Sequence, residues 1–318
     1  MMVLIKKDGI NNLIFKELIR RGYTLEEGKK VWSVADTKLL YLTPEQSEDY
    51  LRFVYSSKDR NKINEVETEL IIENASKMIW SVEGEELNVI DLGCSDGKKA
   101  LRLLEEFKKT IKSKIRYCPI DISGYMVSKA GEEFYSKGFK EVIKFHYNIS
   151  DFENLENITP LLRKDKKGHN ILLMLGNTLV NFEPNELLFK IRESMIQGET
   201  FVTDISVDNE RIRSYVENKD FKKWVGNVPT NLGLDLSKLK MGVKINGTRW
   251  EYYYEFLEDS SIIRDEKRID FKIGDRVVVI VAYRHTKEQF EEYLKLYFDE
   301  VNLITSKDGL EILAICKK

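Results

Sequence analysis

Proline, cysteine and histidine are all scarce in this sequence, and each shortage excludes something. Five prolines in 318 residues, with 42% hydrophobic and 33% charged side chains, exclude a disordered tail and allow a sizeable core. The three cysteines, Cys94, Cys118 and Cys316, lack metal-ligand spacing. So sparse and odd a set suits a reducing cytosol better than a disulfide framework. The three histidines, His146, His169 and His285, are scattered and read as surface or loop residues. They form no metal site and no Ser-His-Asp set. Charge of one sign is missing too: 51 basic and 53 acidic side chains leave a net charge of -2. No strong field draws the chain to nucleic acid or to an anionic membrane. The Lys164-Asp165-Lys166-Lys167 run reads as a solvated loop. No stretch approaches the roughly 18 apolar residues of a membrane span. Met1 to Lys7 is too short for a signal segment. The expectation is a soluble, cytoplasmic protein that acts on a small molecule, with no nucleic-acid or membrane partner. There is no internal repeat.

What is present is an alternation. Up to about residue 85 the chain reads mostly helical: Ile10 to Arg21 ends at Gly22, Thr43-Pro44-Glu45-Gln46 is a helix start, and Glu65 to Trp80 has helical periodicity. Strands are then expected at Leu87–Leu92, Ile115–Ile122, Val142–Tyr147, Ile171–Leu175 and Thr200–Ile205. Helices are expected between them at Lys98–Lys109, Tyr125–Tyr135 and Pro184–Gln197. Strands apolar on both faces, alternating with helices, predict a parallel sheet covered on both sides. From 206 to about 285 the rhythm breaks into polar and aromatic patches, with antiparallel strands at Trp250–Leu257 and within Phe271–Tyr283. A helix at Thr286–Phe298 and a hairpin of Val301–Thr305 with Glu311–Cys316 close the chain.

The sharpest motif is Val89-Ile90-Asp91-Leu92-Gly93-Cys94-Ser95-Asp96-Gly97, a strand, a small-residue turn and a helix start. Gly93 lets the backbone turn hard and approach a ligand. Exposed amides at the helix start can hold a carboxylate, and Asp91 can accept from an ammonium. Together they suit the amino-acid end of S-adenosylmethionine; a plain glycine turn is the bland alternative. No Gly-Lys-Ser/Thr follows, so the motif is not a phosphate loop. Asp121, in Pro119-Ile120-Asp121-Ile122-Ser123, ends the second strand, where an acid accepts from ribose hydroxyls or caps the next helix. Asn148 or Asp151, after the third strand, could reach the adenine amino group. Leu175-Gly176-Asn177-Thr178-Leu179-Val180-Asn181 ends the fourth strand and sets Asn177 and Asn181 to orient a polar ligand. Tyr252-Tyr253-Tyr254 reads as strand packing, with a methylated-ammonium cage as the sharper alternative.

These motifs resemble the histidine-specific N-methyltransferases of ergothioneine biosynthesis, whose relatives include fungal enzymes that methylate a tryptophan derivative. The family's acid-Leu-Gly-x-Gly, then Lys-Thr, is matched by Asp91-Leu92-Gly93-Cys94-Ser95, then Lys99-Ala100. Its Pro-x-Asp-x-Ser is Pro119 to Ser123, and its Leu-Gly-Ser-Thr-Ile-Gly-Asn is Leu175 to Asn181. Its late Gly-Glu segment is echoed by Gly274-Asp275, followed by Tyr283-Arg284. The resemblance runs from about residue 65 to the end. It implies a class I methyltransferase fold and S-adenosylmethionine as cofactor, leaving S-adenosylhomocysteine. Motifs and resemblance together set Asp91, Gly93, Cys94, Ser95, Lys99, Asp121, Gly176 and Asn177 at the cofactor, with Asn148 or Asp151 at its adenine. The resemblance makes Asn181 the catalytic, substrate-orienting residue; the aromatic run adds Tyr252 and Tyr254, and the late segment Tyr283, as candidates beside the substrate. The sequence departs from the family at its N-terminal Pro-Lys and Tyr-Phe-Tyr-Asp segments, which are not visible. It also departs at a Glu-x-Ser whose positions hold Ile280 and Ala282.

The reading is therefore an α/β protein: a Rossmann-like class I methyltransferase sheet (65–205 and 286–318) and an α+β second lobe (1–64 with the insert 206–285). The reaction expected is N-methylation of a small amino acid-like or amine substrate, with no metal. Its rivals are aminocarboxypropyl transfer from the same cofactor, told apart by product mass, and a non-catalytic nucleoside- or partner-binding protein, told apart by calorimetry.

Overall fold

The computed structural model describes residues 7–56, 58–79, 86–145, 148–150, 152, 154–163, 168–264 and 266–318. The chain divides into two compact units, residues 1–60 with 210–283 and residues 61–209 with 284–318. The first opens with α1 (Lys7–Arg21), β1 (Tyr23–Glu26), β2 (Lys29–Ser33) and α2 (Pro44–Ser56). Next come α3 (Lys58–Glu73), α4 (Ala75–Met78), β3 (Glu86–Leu92), α5 (Lys98–Thr110), β4 (Lys114–Ile120) and α6 (Gly124–Ser136). α7 (Leu155–Leu162), β5 (Gly168–Met174), α8 (Pro184–Ser194) and β6 (Thr200–Ser206) follow. The chain then returns to the first unit for α9 (Glu210–Arg213), α10 (Lys219–Leu232), β7 (Leu239–Asn246), β8 (Arg249–Phe256), β9 (Ser260–Arg264), β10 (Lys267–Phe271) and β11 (Arg276–Tyr283). It ends in the second with α11 (Lys287–Lys295), β12 (Glu300–Thr305) and β13 (Glu311–Lys317).

The second unit is built on a six-stranded sheet of order β12-β13-β6-β5-β3-β4. β4, β3, β5 and β6 are parallel; β13 runs antiparallel to β6, and β12 antiparallel to β13. Neighbouring residues along each strand face opposite sides. Leu87, Val89, Ile115 and Tyr117 therefore pack with Leu104, Phe107 and Phe134 on one face. Ile90, Leu92 and Ile120 pack with Leu188, Ile191 and Phe290 on the other. Two helix starts follow the expected chemistry: the Ser123 hydroxyl accepts from Met126 N, and Thr286 and Gln289 form a reciprocal capping box.

One strand departs from expectation. Of the strand expected at Val142–Tyr147, the described residues 142–145 keep only an isolated parallel bridge, Tyr117 with Val142, and a second bridge joins Asp121 to Ile149. The Asn148 side chain explains the break. Its Oδ1 takes the Phe145 amide at 2.6 Å, and its Nδ2 donates to Pro119 O at 2.6 Å, which folds the segment into a loop. Tyr147 and His146 lie outside the described residues. α8 also stops at Ser194, three residues short of Gln197.

The first unit holds a five-stranded sheet of order β1-β2-β11-β8-β7, antiparallel except for β2 with β11. Its hairpin β1–β2 corrects the mostly helical expectation for the N-terminal part. Glu27 (φ 50°) and Gly28 (φ 78°) make a two-residue loop of the kind that joins twisted antiparallel strands. α10 lay hidden in the patchy insert because Pro229 sits inside it; Asn218 caps its start and Gly233 (φ 88°) ends it. Along β8, Trp250, Tyr252, Tyr254 and Phe256 are buried while Glu251, Tyr253 and Glu255 are half-buried. No helix among the described residues is long and apolar enough to cross a membrane.

Candidate functional site

In an open parallel sheet the polar work is done beyond the carboxyl ends of the strands. In the second unit those ends carry most of the polar residues singled out above. β3 ends at Leu92, and the chain turns through Gly93 (φ 73°), Ser95 (φ 51°) and Gly97 (φ 76°), all left-handed. Ser95 stands where the resembled motif has its second glycine, and it keeps a backbone shape that glycine adopts without strain. A Cβ on Gly93 would lie 2.9 Å from Thr178 Cγ2, so this position admits no side chain without displacing the turn after β5.

The amides of this turn are not free. Gly93 N and Cys94 N both donate to Ile120 O at 2.8 and 3.1 Å, Gly97 N donates to Cys94 O at 2.9 Å, and Ser95 N donates to Asp121 Oδ2 at 3.2 Å. The bonds of Gly93, Cys94 and Ser95 tie the turn to β4, so these three amides are not the ones that face a ligand. Cys94 is buried, and burial pushes its thiol well above the ordinary range, so it offers no nucleophile. Asp91 is also buried, and its Oδ2 accepts from the Tyr117 hydroxyl at 2.7 Å. Burial pushes its carboxyl up to about 7, with the Tyr117 hydrogen bond pulling the other way.

Asp121 follows β4 directly. Its Oδ1 accepts from Ser123 N at 2.9 Å and its Oδ2 from Ser95 N, so both oxygens are fixed and each keeps lone pairs for a further donor. Burial pushes its carboxyl up to about 6, against the pull of those backbone amides. Helix capping falls to Ser123, which leaves Asp121 available to two hydroxyls. Asn148 differs: its side chain is buried and spent on Phe145 N, Pro119 O and Ile143 O. It is a loop brace rather than an adenine contact. Asp151, the other residue considered for that contact, lies outside the described residues.

A polar chain crosses the ends of β5 and β6, and its anchor was missed in the sequence. Glu67 of α3 has a wholly buried side chain, and its Oε2 pairs with Lys99 Nζ at 2.6 Å. Its Oε1 accepts from Asn177 Nδ2 at 2.5 Å. The same Nδ2 donates to Ser206 Oγ at 2.9 Å, and that hydroxyl donates to Glu311. Gly176 (φ 76°) donates its amide to Asp204 Oδ1 at 2.7 Å, and a Cβ on it would come 3.5 Å from Lys99 Nζ. The Lys99 ammonium therefore stands over the Gly176 backbone, with one of its three N–H groups held by Glu67 and the others able to meet an anion. The signal for Glu67 was available: Ile63, Glu67, Leu70 and Ile71 share one helix face, and all are buried. Asn181 closes a short 3-10 turn, Leu179–Asn181, just beyond Asn177 and is half-buried.

The tyrosines are placed differently. Tyr252 and Tyr254 are buried within the first unit, the Tyr252 ring lying 5.3 Å from that of Phe221 and the Tyr254 hydroxyl donating to Lys222 O at 3.4 Å. They pack β8 against α10 and form no ammonium cage. Tyr283, at the end of β11, is half-buried and accepts from Arg249 Nη1 at 3.5 Å. Ile280 and Ala282 are buried, paired across β11–β8 with Tyr252 and Trp250 and so on the same face as those rings. His285 is buried against Tyr293, not on the surface. Among the described residues no group of three or more His, Cys, Asp or Glu could hold a metal.

A family model described as histidine-specific methyltransferase, SAM-dependent, matches residues 62–314. Among solved structures the chain is similar to the citrinin polyketide synthase CMeT domain, at 14% identity and a TM-score of 0.50, covering 88% of this chain and 59% of that one. It is also similar to the PH0226 protein from Pyrococcus horikoshii OT3, at 14% identity and a TM-score of 0.49, covering 86% of this chain and 98% of that one. For the DszA carbon methyltransferase the figures are 12% and 0.48, covering 98% and 66%. This chain thus spans about three fifths of the CMeT chain whose fold it shares. No curated protein sequence matches.

Proposed function

The chain belongs to the histidine-specific, S-adenosylmethionine-dependent methyltransferases, and for this member we propose methyl transfer to a nitrogen of a small amino acid-like or amine substrate other than free histidine. The observation that carries the reading is the set of polar groups at the strand ends of the second unit. A buried acid with spare lone pairs follows β4, and an ammonium held over a side-chain-free backbone turn stands at β5. That set fits a ligand with a ribose at one end and a carboxylate at the other. In this reading Asp121 accepts from the ribose hydroxyls, and Lys99, fixed by Glu67, takes the carboxylate. Gly93 and Gly176 keep side chains out of the way. When bound, S-adenosylmethionine would supply an electrophilic sulfonium methyl to an unprotonated nitrogen of the acceptor, with S-adenosylhomocysteine as the leaving product. The protein's share is alignment and exclusion of water. Asn181 is the neutral group that orients the nitrogen without protonating it.

The substrate part of the reading rests on Ile280 and Ala282. Both are apolar and buried where the resembled family carries an acid and a hydroxyl. An imidazole N–H or ammonium that needed them would be left without a partner, at about 1–3 kcal/mol each. Two such losses weaken free histidine by roughly two orders of magnitude or more. The experiment is methyl transfer from S-adenosylmethionine to a panel of histidine, tryptophan and simple amines, with products read by mass. One or more added methyl groups on an amine other than histidine is the expected result. Efficient trimethylation of histidine contradicts the substrate reading, and addition of an aminocarboxypropyl group contradicts methyl transfer.

A further inference from the structure

His285 occupies a position that ordinarily belongs to an apolar side chain. The capping box of Thr286 and Gln289 starts α11, which makes His285 the residue before the cap and Phe290 the fourth residue of the helix. A hydrophobic side chain often fills the first of these positions and packs on the second, fixing how the chain enters the helix. Here an imidazole does so. His285 is 5% exposed, and its ring lies 4.9 Å from that of Tyr293. Neither Nδ1 nor Nε2 has a hydrogen-bond partner among the described residues. The ring lines a cavity of about 10 Å³ together with Leu179 and Val180, Leu188 of α8, Ile205 of β6, and Phe290 and Tyr293 of α11. That volume is at the lower limit for a single water.

Such a site accepts neutral imidazole and rejects imidazolium. Leaving two neutral nitrogens unpaired costs far less than burying an unpaired charge. Burial therefore holds the imidazole below its ordinary 6.5, with Arg284 adding to the effect and Glu183 opposing it. Arg284 is on the same segment, and Glu183 caps α8, where its carboxylate already holds Glu186 N and Asn185 Nδ2. The side chains that line the cavity include one other titratable group, the Tyr293 phenol on α11.

The surroundings give this titration a consequence. Leu179 and Val180 belong to the 3-10 turn Leu179–Asn181, which follows the left-handed Gly176-Asn177 corner at the end of β5. The turn is held by Asn181 N to Thr178 O at 3.2 Å and Phe182 N to Leu179 O at 3.1 Å. Hydrogen-bond geometry in a 3-10 turn is poor, so its packing matters. His285 packs against it across the cavity. The preceding residue, Arg284, donates to Asn177 Oδ1 and Ser206 O at 3.4 Å each, which ties the same segment to the corner from which the turn starts.

We propose that His285 is a pH-sensitive latch on the Asn181 turn: neutral, it props the turn in place, and protonated, it leaves the cavity and releases the turn, so that methyl transfer is switched off reversibly in acid. This rests on the methyltransferase reading above and adds regulation to the same site. The sign follows from burial. A histidine held below its ordinary value contributes stability that is complete above 6.5 and is lost as pH falls through the lowered value.

The test is hydrogen exchange of the full chain, read by mass spectrometry from pH 5 to pH 7.5 with S-adenosylhomocysteine saturating throughout, so that titration of Asp121 does not enter. Protection of residues 178–182, corrected for the intrinsic pH dependence of exchange, should fall about tenfold or more in the wild type as pH drops, the scale of one buried group left unpaired. Protection of β3 and β5 should hold. His285→Phe, which restores an apolar side chain, should keep the turn protected across the range, and His285→Gln, which stays neutral, should show no acid step either. Thermal melts at pH 7.5 check that each variant is folded, and the Gln variant carries the test if the Phe variant is not. Flat protection of the wild-type turn overturns the inference, as does an equal acid step in the variants. An equal loss in β3 and β5 also overturns it, because the acid event is then global unfolding. In a kinetic arm, methyl transfer to the amine panel is measured at saturating cofactor at pH 5.5 and pH 7.5. The ratio of His285→Phe to wild-type turnover should rise about tenfold or more in acid. A constant ratio overturns the link to the reaction. No transfer by either protein at pH 7.5 counts against the parent reading instead, and the exchange arm still decides the latch.

Discussion

The two larger sheets of this protein use the same material in opposite ways. The central strands of the second unit are buried almost throughout, β6 at every residue and β3 at all but its first, and several of its polar residues stand at the carboxyl ends. Asp121, Gly176, Asn177 and Ser206 all lie there. In the first unit β8 alternates, with one face buried and the other half-open, and its aromatics are packing for α10. A residue type therefore carries different meaning in each. A tyrosine on β8 is core, whereas a small or polar residue just past β3, β4 or β5 is a ligand candidate. The proposed chemistry is placed at the strand ends and not on the aromatic run, although the run is the more conspicuous feature in the sequence.

That contrast can be broken by substitution. The largest effect is expected at Gly93. Gly93→Val puts a branched side chain on a left-handed residue and against Thr178, so it should abolish S-adenosylmethionine binding and lower the melting temperature. A variant that binds normally in a titration would move the cofactor away from β3. Glu67→Ala should come next. It removes one partner of a buried ion pair and leaves Lys99 and Asn177 without their acceptor, at about 3 kcal/mol of stability by denaturant unfolding. A loss under about 0.5 kcal/mol, the range of an ordinary surface change, would show that the network is not holding the strand ends.

The next effect is one of pH. The Asp121 carboxyl is pushed up to about 6 from an ordinary 3.8, so the folded protein holds this proton more tightly than the unfolded chain. The stability it contributes is complete below about pH 4 and is lost as pH rises through about 6. Cofactor affinity should run the other way, because the anion is the better acceptor. It should rise about tenfold from pH 5 to pH 7 and then level off, and Asp121→Asn should flatten that rise. Ser95→Gly should stabilise the protein by about 1 kcal/mol, since the left-handed backbone there is strained for any residue with a Cβ. The smallest changes belong to the first unit. Tyr252→Phe and Tyr254→Phe should each alter stability by less than about 1 kcal/mol and leave methyl transfer intact. A large loss of turnover in either would restore the tyrosines to the substrate site.

The second unit was legible in the sequence because its strands are continuous apolar runs with turn residues at both ends, and periodicity reports that pattern directly. The third strand was overread: Val142 and Ile143 have strand character, but Asn148 captures the Phe145 amide and breaks the ladder, a side-chain effect that periodicity cannot register. The β1–β2 hairpin hid behind Glu27, whose positive φ is unusual for that residue type, and α10 hid behind Pro229. In the candidate site, the turns and strand ends that carry Gly93, Asp121, Gly176 and Asn177 were readable from local motifs. Glu67 was legible only as an acid on the apolar face of α3, and its partners, like those of Arg284, lie far along the chain, 32 and 107 residues away, so that only folding brings them together.

The central claim is that a nucleoside-bearing cofactor sits on the strand ends of the second unit with Asp121 as its ribose acceptor. A calorimetric titration of S-adenosylmethionine into wild type and Asp121→Ala at pH 7.5 tests it most directly. The account predicts saturable binding by the wild type and a loss of about 2 kcal/mol, roughly thirtyfold, in a variant that melts cooperatively. Equal affinity in the two proteins would contradict it.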